Sequence, residues 1–186
     1  MRRAALLAAL VLAGCGGSKT AQFAGQKLDP LVNAPNFTLV DQSGKQVTVT
    51  AQRGHWLVVT FLYTHCPDVC PLIAAQLNRA IATKAGRQAR LHVIAVSVDP
   101  ARDTLAAVKR YAVTHRLAPS FRWAIGSGAQ LARVWRAYHV AAQPGPSGTV
   151  THSTFEILVD PEGNERLIYD ATIKAGELAD DLDKLT

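Results

Sequence analysis

Cys66 and Cys70 stand four positions apart in residues 58–77, VVTFLYTHCPDVCPLIAAQL, between an apolar, β-favouring run and a helix-favouring one. A disulfide between residues this close closes a tiny loop and constrains the unfolded chain weakly, so chemistry explains the pair better than stapling does. Unpaired N–H groups and the dipole at a helix start stabilise a thiolate, which is both a nucleophile and a metal ligand. Pro67 suits a first helical turn, whereas Pro71 cannot donate the usual i to i−4 bond, so the turn holding both sulfurs is irregular. Residues four apart in a helix have Cα atoms about 6.2 Å apart, close to the roughly 5.5–6 Å that disulfides prefer, so oxidation stays open. Two thiolates on one ion, at roughly 2.3 Å per bond, stand about 4 Å apart, and three intervening residues suit that wider grip. Such a pair selects soft ions, monovalent copper first and zinc as its competitor.

These positions require Cys66 to follow a strand and Cys70 to open a helix. Residues 55–63 are nearly continuous in apolar and β-branched side chains, as a buried central strand is, and 71–85 have helical apolar spacing closed by Gly86. Residues 91–98 read as a second buried strand, 104–115 as a helix, 122–125 as a short strand and 128–138 as a helix. Residues 36–40 and 46–50 flank a turn containing Gly44, and 154–159 and 165–169 flank Asp160-Pro161-Glu162-Gly163, so both pairs are expected as hairpins. Residues 175–185 form the last helix, and 141–150, AAQPGPSGTV, read as a loop from their proline and glycine content. The order implies an α/β domain. It resembles the thioredoxin-like fold, a central mixed sheet flanked by helices, here with an N-terminal β-hairpin.

A third ligand for a metal held by the cysteines has to come from elsewhere, and histidine is the natural donor among six candidates. His55 lies in a Gly-His-Trp turn, His92 begins a strand and His115 ends a charged helix, all ordinary surface or end-cap placements. His139 also ends a helix, where a cation is favoured. His65 adjoins Cys66 and is suited to tuning its pKa, but the adjacent backbone makes joint ligation awkward. His152 differs, because it precedes the strand of the final hairpin, and in thioredoxin-like domains that strand begins beside the cysteine motif. Thioredoxins usually have a cis-proline near that point, and no proline occurs between Ser153 and Val159.

The 186 residues are 48% hydrophobic, enough for one buried core and short for two domains. Arg2 and Arg3 precede an apolar run over 4–12 that is too short to span a membrane, the layout of a secretory signal. Leu12-Ala13-Gly14-Cys15 resembles the lipobox of bacterial lipoproteins, which implies removal of residues 1–14 and lipid attachment at Cys15. Residues 15–33 are then a tether and 34–186 the folded, copper-binding domain. Loss of Arg2 and Arg3, two of 20 basic residues against 14 acidic, lowers the net charge from +6 to +4. No basic cluster marks a nucleic-acid site. Lipidation would also leave only Cys66 and Cys70 as thiols in an exported compartment.

Three motifs then occur in order: residues 64–71, THCPDVCP; residues 97–104, SVDPARDT; and His152-Ser153 leading into 158–163, LVDPEG. Together they resemble the SCO/SenC family of copper chaperones from about Ala34 onward. The resemblance implies a membrane-tethered protein on the extracytoplasmic, periplasmic side that binds copper through Cys66, Cys70 and His152. Its implied partner is the copper-binding subunit of cytochrome c oxidase, whose dinuclear copper centre it helps to assemble, or another copper-receiving protein. It also implies that 99–104 form a loop near the site; read from its residues alone, this is an Asp-Pro turn with Asp103 or Thr104 capping the next helix. The chain departs from the family in having Thr151 where aspartate is usual and Ile157 where tyrosine is common. The alternative function is a thiol-disulfide reductase that keeps a copper-receiving protein's cysteines reduced, with Cys66 and Cys70 as its catalytic, redox-active pair. The PxxxTxxC pattern of a peroxidase is absent before Cys66.

Overall fold

The computed structural model describes residues 22–145 and 148–186. The leader and Cys15 lie outside the described residues. Ten strands are named in chain order: β1 (Gln26–Asn33), β2 (Thr38–Val40), β3 (Gln46–Thr48), β4 (Leu57–Leu62), β5 (His92–Ser97), β6 (Phe121–Ala124), β7 (Ala142–Pro144), β8 (Val150–His152), β9 (Phe155–Val159) and β10 (Asn164–Asp170). The helices are α1 (Val69–Ala82), α2 (Lys84–Gln88), α3 (Leu105–Thr114), α4 (Gly128–Ala137) and α5 (Ala175–Leu185).

The central sheet has the order β1-β10-β9-β4-β5-β6. β4, β5 and β6 are parallel, while β9, β10 and β1 run antiparallel to their neighbours. β4 is buried along its whole length, which explains a sequence that is apolar except for Thr60. Register places Trp123, Ala95, Thr60, Glu156 and Tyr169 in one row across five strands, on one face of the sheet. Tyr111 of α3 packs on Trp123, Tyr169 donates to Asp181 of α5, and α1 packs on α5, so these three helices cover that face. Phe61 points the other way, towards Tyr138 at the end of α4, and Phe37 packs on the same tyrosine.

The thioredoxin-like, mixed-sheet expectation holds, and the β2–β3 hairpin forms with Gly44 at φ +78° in its turn. Three boundaries differ from the sequence reading. Residues 26–33, expected within the tether, are instead an edge strand hydrogen-bonded to β10, so the folded domain begins before Ala34. The first helix ends at Ala82 rather than near Gly86, because Thr83 turns the chain and its Oγ1 accepts from Gly86 N to cap α2. A Cβ at Gly86 would lie 2.0 Å from the Ala80 carbonyl oxygen, so glycine serves close backbone approach there. Finally, the 141–150 loop contains β7, which pairs with β8 in a small separate hairpin carrying His152. Its proline and glycine content marked the turn and hid the short strands beside it.

Candidate metal and thiol site

The site lies where the chain leaves the C-terminal ends of β4 and β5. Asp103 ties these two exits together: its Oδ1 accepts from Thr64 N at 3.0 Å and Thr64 Oγ1 at 2.6 Å, and its Oδ2 accepts from Ser97 Oγ at 2.6 Å. Thr104 caps α3 by accepting from Ala107 N, leaving Asp103 for this brace. The sequence allowed either residue as the cap. It gave no sign that Asp103 holds the residue two before Cys66, since that contact joins elements 39 positions apart.

Cys66 is partly exposed in the loop before α1, and Cys70 is 1% exposed in its first turn. Asp68 precedes α1 without a side-chain cap, leaving first-turn N–H groups open. Cys66 Sγ accepts from Cys70 N at 3.3 Å. The Cys70 thiol donates to Cys66 and is the main force lowering the Cys66 pKa, to about 5, against the opposing effect of burial. The backbone N–H groups of Asp68 and Cys70 and the Tyr63 hydroxyl add to that lowering. Cys70 is driven upward, first because its S–H donates a hydrogen bond to Cys66 and so holds its proton, and then by burial. One sulfur is thus an accessible thiolate and the other a buried thiol. Both cysteines are free.

His152 is half-buried at the end of β8, its ring set edge-on to Tyr63 with centroids 5.9 Å apart. Its Nδ1 lies 2.8 Å from the Ser153 carbonyl oxygen, which can only accept. Nδ1 therefore carries the proton and Nε2 keeps a bare lone pair, the arrangement found in metal-ligating histidines. Tyr63 OH also accepts from Val150 N at 3.4 Å, so this tyrosine joins the β7–β8 hairpin to the cysteine loop.

The remaining histidines separate clearly. His55 and His92 stack at 4.2 Å beside the N-terminal ends of β4 and β5, the opposite pole of the sheet. His115 stacks on Tyr111, and His139 sits exposed just past α4 at φ +56°. His65 is different. Among the described residues, His65, Asp99 and Asp103 form a group whose ligand atoms all lie within 4.8 Å of one another, a closeness that Cys66, Cys70 and His152 do not share.

Comparison with known proteins identifies the family of the chain. The family model described as SCO1/SenC matches residues 26–186, the span that begins with β1. The chain is 31% identical over 199 residues to the mitochondrial SCO2 homologue of Bos taurus, covering 97% of this chain and 74% of the relative. It is 30% identical over 168 residues to SenC of Rhodobacter capsulatus, covering 88% and 71% respectively. Among solved structures, Arabidopsis thaliana ScoI with copper bound is similar at a TM-score of 0.75 and 30% identity, over 82% of this chain and 97% of that one. A family model matching residues 26–186, together with relatives at this identity and coverage, makes the chain a member of the SCO1/SenC family.

Proposed function

We propose that this protein is a membrane-tethered copper chaperone that receives monovalent copper on Cys66, Cys70 and His152 and passes it on by ligand exchange. The observation that carries this reading is the pairing of an accessible Cys66 thiolate with a neighbouring Cys70 thiol, beside a histidine whose free nitrogen is fixed as Nε2. Two sulfurs and one imidazole suit a soft monovalent ion. Family membership and the copper-bound ScoI of Arabidopsis thaliana support copper as the cargo. The recipient is the copper-binding subunit of cytochrome c oxidase, and the dinuclear copper centre is the assembly target.

Lipid on Cys15 holds the domain at the extracytoplasmic face of the membrane. Among the described residues no helix is long and apolar enough to cross a bilayer, so in this reading attachment falls to the N-terminal segment.

Uptake takes the proton from Cys70 and draws His152 towards the sulfurs. His152→Ala tests this assignment: in anaerobic competition with a copper chelator, the variant loses about tenfold or more in affinity while its dithiol still reduces a disulfide. Unchanged copper affinity would remove His152 from the ligand set.

The unequal cysteines also favour a second reading as a reductase. The Cys66 thiolate attacks a partner's disulfide, forming a mixed disulfide and releasing one partner thiolate. Cys70 then loses its proton and attacks Cys66 Sγ, releasing the second partner thiolate and leaving a Cys66–Cys70 disulfide. Turnover by the metal-free protein, undiminished in His152→Ala, supports this activity.

A further inference from the structure

Beside the thiols lies a second set of ligand atoms with different chemistry. Asp99 and Asp103 are 5% and 4% exposed, yet the one cation hydrogen-bonded to either among the described residues is Arg102, on Asp99 Oδ2. Asp103 spends Oδ1 on both donors of Thr64 and one lone pair of Oδ2 on Ser97. That leaves the second lone pair of Asp103 Oδ2, and Asp99 Oδ1 takes no hydrogen bond from a described residue. The Asp99 carbonyl accepts from Arg102 N and Asp103 N in a tight turn, which brings both carboxylates to the same side.

His65 completes the set. The single proton of Thr64 Oγ1 goes to Asp103 Oδ1, so Thr64 can only accept from His65, whose Nδ1 lies 3.0 Å away. His65 Nδ1 therefore carries its proton and Nε2 keeps the lone pair that a metal would take, by the same logic as at His152. A hydroxyl that fixes the imidazole tautomer while bracing a carboxylate ligand gives the group an outer support. One ring nitrogen of His65 already lies within 4.8 Å of both carboxylates, and because the side chain is exposed its ring can turn to present Nε2 to them.

From this juxtaposition of one free imidazole nitrogen and two buried, under-neutralised carboxylates we infer a second metal site, His65–Asp99–Asp103, for a borderline divalent cation, Cu²⁺ or Zn²⁺. Nitrogen with carboxylate oxygen suits these ions and gives monovalent copper no soft ligand, so the site is separate from the thiolate pair. Binding at one does not require binding at the other.

The test uses the full chain with Cys15→Ser, Cys66→Ser and Cys70→Ser combined, which removes every thiol, and Cu²⁺ as the probe. The variant binds one Cu²⁺, and pulsed electron paramagnetic resonance shows a single coordinated imidazole. Adding His65→Ala weakens binding at least tenfold and abolishes the imidazole signal, whereas adding His152→Ala leaves both in place. Asp99→Asn, which keeps the shape of the turn, also weakens binding. The inference is overturned if the thiol-free chain binds no Cu²⁺, or if the imidazole signal survives His65→Ala or disappears with His152→Ala. Failure here leaves the monovalent site at Cys66, Cys70 and His152 untouched, because that site is absent from the tested chain.

Discussion

At Cys66 the local chemistry follows from three donors, the Cys70 thiol, the N–H groups of an uncapped helix start and the Tyr63 hydroxyl. With its pKa held near 5, Cys66 in the reduced, metal-free protein reacts with iodoacetamide at a rate that levels off well below pH 7. Mass spectrometry of the labelled residue against pH checks this; a midpoint above pH 8 would contradict the thiolate assignment. Cys70, buried and pushed the other way, stays unlabelled in the native fold. Much of this was legible in THCPDVCP, because spacing and a helix start are local facts. His152 was marked as a candidate by its place before a strand and by the family resemblance, but its contact with Tyr63 was not legible at all. Tyr63 lies 89 positions from His152, and sequence pattern does not report a ring contact across that distance.

Within the sheet, Glu156 of β9 is fully buried in the row that α1 and α5 cover, its Oε1 accepting from Thr60 and its Oε2 taking no hydrogen bond from a described residue. Burial pushes its pKa up to about 8, so the folded chain holds this proton more tightly than the unfolded chain does. The stability that depends on Glu156 is therefore full below about pH 4.5 and declines as pH rises towards 8, by on the order of 3–5 kcal/mol across the window. Glu156→Gln keeps an acceptor for Thr60 and removes the titration, so urea midpoints for the variant lose this slope; a slope equal to that of the parent would contradict it. The brace between strand ends gives another expectation. Asp103→Ala leaves Thr64 and Ser97 without their acceptor and costs about 1–3 kcal/mol of stability, read by the same unfolding curves. β4 and β5 were readable from their nearly continuous apolar, β-branched runs. β7 and β8 were not, since three-residue strands around a Pro/Gly turn show too little alternation to reveal pairing.

Across the whole molecule, the segment before Ala34 changes role. It is polar and aperiodic, and β1 is exposed along nearly all its length, so no apolar pattern distinguished it from a tether. Its backbone nevertheless covers the outer edge of β10, and Ala24 N and Gly25 N donate to Asp181 of α5, a carboxylate with no exposure. Deleting residues 22–33 uncovers that edge and strips donors from a buried charge, costing about 2–5 kcal/mol and lowering Tm; an unchanged Tm would show that β1 contributes nothing. The fold thus reaches back almost to the proposed lipid anchor and keeps the thiol loop, the Asp103 brace and the His152 hairpin at one pole. The measurement that bears most directly on the central proposal is anaerobic titration of the reduced protein with monovalent copper, followed by X-ray absorption. The expected result is one copper per chain with two sulfurs and one nitrogen, and none after Cys66 and Cys70 are oxidised to a disulfide. Monovalent copper bound equally well after that oxidation would contradict the proposal.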